Sequence, residues 1–417
     1  MAGLNAFVQS HPDAVFVQSY PYRTFRSIRE DRGFYRGGYE SARDLLTGEG
    51  AGEREILLKP NVTIGCPTDL RRQRSYHGGI VTNAQFIGGI LDRLIELGET
   101  RMAVVEKSMR VFSENGYVDM IGEERQVNGH MRAREDSGAR ISWTARPRFE
   151  DYRGDELTWV PVKDGVVHRT FPIDSPSCKP GTILMNVPTL KTHNLGVTTL
   201  CCKNLQGIVA QGYKHFCTFL DGFDDPKQHP PGMVEQHLQP GFQKQVLEYY
   251  RRHVAMGLPM WETNQDEHWQ VGRFEPWAQR ISDLVSIFRP YEKHFLINIV
   301  EGIIGRDGTA FNQGEDRPVG LVIAGVNPVH VDAVASFLAG HDPRYIPFMV
   351  IAHERGLGEK DIERIEIYEM AEQRPLTVEA LRELIVPLPV YLHGDATRDV
   401  FFNESYFEQN NIPCFKP

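Results

Sequence analysis

The 417-residue chain carries 46 Lys and Arg against 55 Asp and Glu, a net charge of −9, with 41% hydrophobic and 24% charged residues. These are ordinary globular proportions, and the length is ample for a sizeable core. The acidic balance argues against a general nucleic-acid binder, which needs a basic surface, while leaving room for a local basic pocket.

No run approaches the ~18 consecutive apolar residues of a membrane span, so no membrane association is expected. The opening Met1-Ala-Gly-Leu-Asn-Ala6 lacks a charged stretch followed by an apolar one, so no export signal is visible. Cys66, Cys178, Cys201, Cys202, Cys217 and Cys414 are sparse, and none forms a CxxC pair. A disulfide framework, a four-cysteine zinc site and an iron–sulfur cluster are not expected. The expected setting is a reducing cytoplasm.

Glu55-Ile-Leu-Leu-Lys59 reads as a strand ended by Pro60, which removes a ladder donor. Thr82-Asn83 is a helix-start signal, and Ile87, Ile90, Leu91, Leu94 and Ile95 follow on one helical face. Gly98 is the expected stop, and Met102-Ala-Val-Val-Glu106 is a second strand. A strand, a helix and a strand in so short a stretch make a βαβ unit with parallel strands. Thr182 to Asn186 is a further strand, and Val197 to Val209 is expected to be a helix. Phe295 to Val300 and Val319 to Ala324 are buried strands. Pro328 suits the first turn of a helix carrying Val331, Val334, Ala335 and Leu338, and Arg364 to Tyr368 closes the series.

The expected fold is α/β: a mostly parallel sheet with helices on both faces, plus a helical and aromatic insertion and a C-terminal tail. The core is assigned to 1–214 and 291–370, the insertion or lid to 215–290, and the C-terminal extension to 371–417. The insertion holds Phe223-Asp-Asp-Pro-Lys-Gln-His-Pro-Pro-Gly232, then Trp261, Trp269, Phe274 and Trp277. It is a decorative packed element or a candidate surface for oligomerisation.

Ligands of open α/β sheets bind beyond the carboxyl ends of the strands, and polar residues stand at each such end here. Lys59, Lys191 and Lys203 are candidate point charges for a carboxylate or phosphate. His193 titrates near neutrality and is the leading general acid/base; Lys191 and Lys203 join it as candidate catalytic residues. Lys59, Asn61, Thr82, Asn186 and Asn204 are candidate substrate contacts. Glu106, Glu301 and Asp332 are candidate oxygen ligands for a divalent metal, or counter-charges to the lysines. Cys201-Cys202 lies in an apolar stretch and reads as buried small hydrophobes rather than redox thiols. His77, His215 and His330 carry individually weak signals. No GxxxxGK[ST], HExxH, GxSxG or strand-borne GxGxxG is present.

Leu58-Lys-Pro-Asn61, Gly79-Ile-Val-Thr82, Asn186-Val-Pro-Thr-Leu-Lys-Thr-His193, Lys203-Asn204, Gly302 to Gly314, Gly325-Val-Asn-Pro-Val-His-Val-Asp-Ala-Val-Ala335 and Gly356-Leu-Gly358 stand in one order along the chain. Together they resemble domain-of-unknown-function family number 362 over roughly 55–370. The resemblance implies an α/β fold and no settled reaction. Members are often labelled iron–sulfur proteins, a label the cysteines here do not support. Two positions depart from the family pattern: Glu301-Gly302 replaces the usual Asp-Gly, and Asn327-Pro328 replaces the usual Asp-Pro, with His330 at a usually small position.

The expected function is an enzyme acting on an anionic small molecule by Lys/His-assisted proton transfer, of isomerase, epimerase or lyase type and suited to a biosynthetic pathway, with the cofactor left open and a divalent metal as one candidate. One alternative is an oxidoreductase using a bound flavin, nicotinamide or metal. Another is a non-catalytic binding or assembly protein.

Overall fold

The structure, a computed structural model, describes residues 3–49, 51, 54–62, 79–105, 140–144, 154–193, 196–210, 232–256, 258, 267–291, 296–308, 314–391 and 399–400. Glu106, His77, His215, Phe295, Cys66, Cys217, Cys414, the 223–231 stretch and Trp261 lie outside the described residues, as do the side chains of Trp269 and Phe274.

In chain order the strands are β1 (Val15–Ser19), β2 (Glu55–Pro60), β3 (Arg101–Val105), β4 (Arg140–Thr144), β5 (Leu157–Pro161), β6 (Thr170–Asp174), β7 (Thr182–Val187), β8 (Thr189–His193), β9 (Val197–Thr198), β10 (Leu296–Arg306), β11 (Asp316–Gly325), β12 (Ile367–Glu369), β13 (Val390–Tyr391) and β14 (Asp399–Val400). The α-helices are α1 (Ala6–Ser10), α2 (Phe25–Glu30), α3 (Gly33–Leu45), α4 (Ala84–Glu96), α5 (Cys201–Asn204), α6 (Met233–His237), α7 (Phe242–Ala255), α8 (Glu267–Ser286), α9 (Pro328–Leu338), α10 (Pro347–Glu354) and α11 (Val378–Arg382).

The main sheet runs β12-β1-β11-β10-β7-β2-β3-β4, with β8 and β9 hung from β10. It is mostly parallel: β10, β7, β2, β3 and β4 run together, whereas β11 opposes both β10 and β1. The fold is thus α/β, with helices on both faces. The first βαβ unit forms as its pattern requires. Asn83 caps α4 by accepting from the Gln85 N–H, and Phe86, Ile87, Ile90, Leu91 and Leu94 are buried. On that face α3 lies against α4 with the two backbones touching, since a Cβ at Gly38 would come 2.0 Å from the Phe86 carbonyl oxygen. On the other face α9 packs on β11 and on α5.

Two expectations change. The Val197–Val209 stretch is not one helix: it is β9, then the single turn of α5, then a 3-10 turn over Leu205–Ile208. The strand expected over Phe295 to Val300 continues to Arg306, passing a register shift between Gly302 and Ile304. Within 215–290, the second half of α8 belongs to the core: Trp277, Ala278, Ile281, Leu284 and Val285 are fully buried, and Asp283 accepts from the N–H groups of Val166, Val167 and His168. Beyond 370, the chain also packs on the core, burying Leu388 and Val390 and donating Val386 N–H to Leu338.

Candidate functional site

Lys59, Asn186 and Asn298 occupy one row across three parallel strands, Lys59 opposite Asn186 and Asn186 opposite Asn298. Residues of such strands are otherwise apolar on both faces, so this row is a polar seam in an apolar sheet. All three residues are 1% exposed or less, and buried polar groups need partners.

Asn204, at the end of α5, supplies many of them. Its Oδ1 accepts from Lys59 Nζ at 3.0 Å and from Asn61 Nδ2 at 3.0 Å. Its Nδ2 donates to the Lys59 carbonyl at 3.1 Å and to Asn186 Oδ1 at 2.8 Å. A primary amide has two lone pairs and two N–H groups, so all four positions are used. Asn186 Nδ2 donates onward to the Cys201 carbonyl and to Asn298 Oδ1, and Asn298 Nδ2 to the Val326 carbonyl. At the other end Lys191 Nζ donates to Asn61 Oδ1 at 2.6 Å and to the Ile80 carbonyl at 2.7 Å. Thr82 joins through its Oγ1, which accepts from Asn61 N–H and donates to the Val187 carbonyl. Lys59 also donates to the Pro60 carbonyl at 2.6 Å. One hydrogen-bonded cluster therefore contains Lys59, Asn61, Thr82, Asn186, Lys191 and Asn204.

The local sequence explains why the chain can build it. Pro188 has no N–H and separates β7 from β8. Along β8, Thr189, Lys191 and His193 share one face by the two-residue period, and all three are buried. His193 sits at the end of β8, with Nε2 2.5 Å from Lys203 Nζ and Nδ1 accepting from Gly196 N–H at 3.1 Å. The Trp277 ring runs nearly parallel to the imidazole, 8° apart in plane and 6.2 Å between centroids. Lys203 is half-buried and directly precedes the hub residue Asn204. The Lys203–His193 pair thus adjoins the cluster through the chain on both sides.

The carboxylates take other positions. Asp332, on α9, accepts from the N–H groups of Cys201 and Cys202 at 2.7 and 3.0 Å. It is the anchor for the start of α5. Burial pushes its carboxyl up to about 6, against the lowering effect of those two N–H bonds. Glu301, at 1% exposure, accepts from Asn83 N–H at 3.4 Å, at the entry to α4. Burial pushes it up to about 8, partly opposed by that bond. Glu301 lies three residues past Asn298 on β10 and so projects from the opposite sheet face. Glu301 and Asp332 serve different helices and do not share a site, and Glu106 lies outside the described residues. Among the described residues no group of three or more His, Cys, Asp or Glu is placed to hold a metal ion. Cys201 and Cys202 are fully buried, and burial, then Asp332, drives both thiols well up, which makes them unreactive hydrophobes.

The sequence reading missed Asn298, Gly196 and Trp277. Asn298 left a signal, a lone amide within Leu296-Ile-Asn-Ile-Val300, because a polar residue in a buried strand must be satisfied. Gly196 and Trp277 left none, since their roles depend on contacts far along the chain.

Among the described residues, no helix is long and apolar enough to cross a membrane. The family described as Domain of unknown function (DUF362) matches residues 56–337. A crystal structure of a Thermotoga maritima protein is similar over 77% of this chain and 58% of its own, at 13% identity and a TM-score of 0.35. The chain spans under two thirds of that protein's length. No curated protein matches.

Proposed function

The chain belongs to the family described as Domain of unknown function (DUF362), a description that names no reaction, and from its own site we propose an enzyme that acts on a small carboxylate or phosphate by Lys/His-assisted proton transfer. The reaction class is isomerisation, epimerisation or elimination. The observation that carries this reading is the meeting of Lys59 and Lys191 in one asparagine cluster, beside the Lys203–His193 pair.

Burying an ammonium costs several kcal/mol unless it is well hydrogen-bonded. A structural role alone would be served as well by an apolar residue. Lys59, 1% exposed, and Lys191, 2% exposed, are instead held in fixed directions by amide and carbonyl oxygens. In this proposal they hold the anionic end of the substrate, and Asn61 and Thr82 set the geometry of the loop around it. The His193–Lys203 pair then moves a proton at a carbon beside a carbonyl, with the pre-set dipoles of the cluster stabilising the charge that develops. The free, buried thiols Cys201 and Cys202 suit a reducing cytoplasm.

The test needs no prior substrate. Small 2-hydroxy, 2-oxo and phosphorylated acids are screened for thermal stabilisation of the protein, and those that bind are incubated with it in deuterium oxide. Proton NMR should show loss of a C–H signal beside the carbonyl. His193→Gln should retain binding and lose that exchange. If no anion stabilises the protein, or if the variant exchanges at the wild-type rate, the reading fails.

A further inference from the structure

His253 stands in the last turn of α7, and both of its ring nitrogens face carboxylates from other helices. Nδ1 lies 2.8 Å from Glu275 Oε2 of α8, and Nε2 lies 3.0 Å from Glu354 Oε2 of α10. A neutral imidazole has one N–H and one lone pair. With both glutamates ionised, one of the two contacts would then set a lone pair against a carboxylate oxygen. Satisfying both contacts takes two protons among the three groups. Imidazole is the stronger base, with an ordinary pKa of about 6.5 against about 4.3 for glutamate, and the helix dipole favours a cation in the last turn. The ring therefore holds both protons. We infer that His253, as an imidazolium shared by Glu275 and Glu354, is a proton-operated latch that docks the end of α7 on the core, and that loss of its proton lets this end go.

The groups around the ring support that state. On α7, Arg252 Nη2 is 3.3 Å from Nε2 but 2.6 Å from Glu354 Oε2; were Arg252 to donate to Nε2, the lone pair there would still face Glu354 at 3.0 Å. Tyr249, one turn earlier, lies nearly parallel to the imidazole at 6.2 Å and carries the Arg252 guanidinium over its ring at 4.8 Å. From α8, Glu275 is fully buried, and its other oxygen accepts from the neutral Gln279 Nε2 at 2.8 Å. Among the described residues, His253 is the one cation within ion-pair distance of Glu275, and a buried carboxylate without a partner is costly. From α10, Arg355 is turned to Asp283 and Gln279, and His353 to Glu359. Burial acts to lower the pKa of His253, and the hydrogen bonds and charges of Glu275 and Glu354 outweigh it, so the net shift is upward.

α7 is the part that gives. Its buried side chains are Phe242, Val246 and His253, so beyond Val246 the helix offers the core the imidazole alone, and the nearby Val254 and Met256 are exposed. α8 and α10 are fixed by their own packing, α8 through Trp277, Ala278, Ile281 and Leu284, α10 through Met349 and Ile351, all fully buried. With its pKa raised in the fold, the ring's contribution is complete below its ordinary value of about 6.5 and is lost as pH rises through the folded one. The released proton goes to solvent, and one glutamate is left facing a lone pair. The latch uses no residue of the Asn204 cluster or the Lys203–His193 pair and is independent of the reaction proposed for them.

Hydrogen exchange read by mass spectrometry on the full chain at pH 6 and pH 9, corrected for the intrinsic pH dependence of exchange, follows the latch. One pKa unit of differential interaction is a tenfold change in an equilibrium, so the amides from Tyr249 to Ala255 should lose protection by ~10-fold or more at pH 9. Those from Ile281 to Val285 of α8 should lose much less. His253→Gln has no titratable proton and should abolish the difference between the two pH values. Glu354→Gln, whose side chain reaches the surface, removes one of the two counter-charges and should move the release to lower pH. In protein labelled with ¹⁵N-histidine, the signal missing from His253→Gln should show both ring nitrogens protonated at pH 7. The inference is overturned if that ring is neutral at pH 7, if the end of α7 is equally protected at pH 6 and 9, if it opens only together with α8, or if His253→Gln keeps the wild-type difference.

Discussion

Asn204 is the residue on which most of the cluster depends, because its side-chain amide uses all four of its hydrogen-bonding positions on Lys59, Asn61 and Asn186. Truncation would leave a buried ammonium and two amides each short of a partner. Unsatisfied buried groups cost about 1–3 kcal/mol each, partly recovered by relaxation. Asn204→Ala should therefore lose roughly 2–4 kcal/mol in urea unfolding and weaken anion binding together. A loss below about 0.5 kcal/mol, typical of an ordinary surface change, would show that the cluster does not hold the strands' ends in place. Lys59, Asn61, Asn186 and Lys191 stood out in the sequence as polar residues at the ends of apolar strands, and Asn204 as one flanked by Leu200, Leu205 and Ile208 in an apolar stretch. Their mutual pairing did not, since it joins positions as far as 145 residues apart.

At the scale of elements, α5 is a helix that propensity alone would not form. A single four-residue turn has too few hydrogen bonds to offset nucleation, and here the two N–H groups at its start are bound by Asp332 of α9. This is also why the expected Val197–Val209 helix fails: Val197 at φ 62° places the chain outside helical geometry, and the turn that does form is anchored by a carboxylate 130 residues downstream. By contrast, β2 and α4 were legible because their signals are local: an apolar run ended by proline, a capping Asn83 and a 3/4 apolar spacing. Alternation and burial do not encode strand direction, so the antiparallel run of β11 against β10 was not legible either. Asp332→Ala should cost about 2–4 kcal/mol, by removing a buried acceptor from two backbone donors. It should also speed hydrogen exchange at Cys201 and Cys202 by more than at the β10 amides. Asp332→Asn, which keeps one acceptor oxygen, should fall between the two. Equal exchange in wild type and Asp332→Ala would mean that α5 is held by its neighbours and not by this anchor.

For the molecule as a whole, buried ionisable groups set the pH range in which the fold is most stable. Glu301, raised to about 8 by burial, and Asp332, raised to about 6, keep protons in the folded state that the unfolded chain releases. Their contribution is complete below the unfolded carboxyl values and is lost as pH rises through the folded ones. Burial pulls His253 down, but hydrogen bonds and charge from Glu275 and Glu354 outweigh it, so its net shift is upward and its contribution is also lost as pH rises. His341, lowered to about 4 by burial, and His330, lowered by burial against the Asp13 carbonyl, act in reverse and cost stability as pH falls below about 6.5. Between about pH 5 and 6.5 the two groups nearly cancel; from about 6.5 to 8 Glu301 and His253 act in the same direction, each at up to about 1.4 kcal/mol per pH unit. Urea unfolding should therefore give similar stability at pH 5.5 and 6.5 and a loss on the order of 2–4 kcal/mol by pH 8. Glu301→Gln cannot titrate, so the same comparison in that variant should show a smaller loss, with the variant gaining on wild type as pH rises. A wild type as stable at pH 8 as at 6.5 would mean that Glu301 is already ionised in the fold, its hydrogen bonds from Asn83, Ile303, Ile304 and Thr189 outweighing burial.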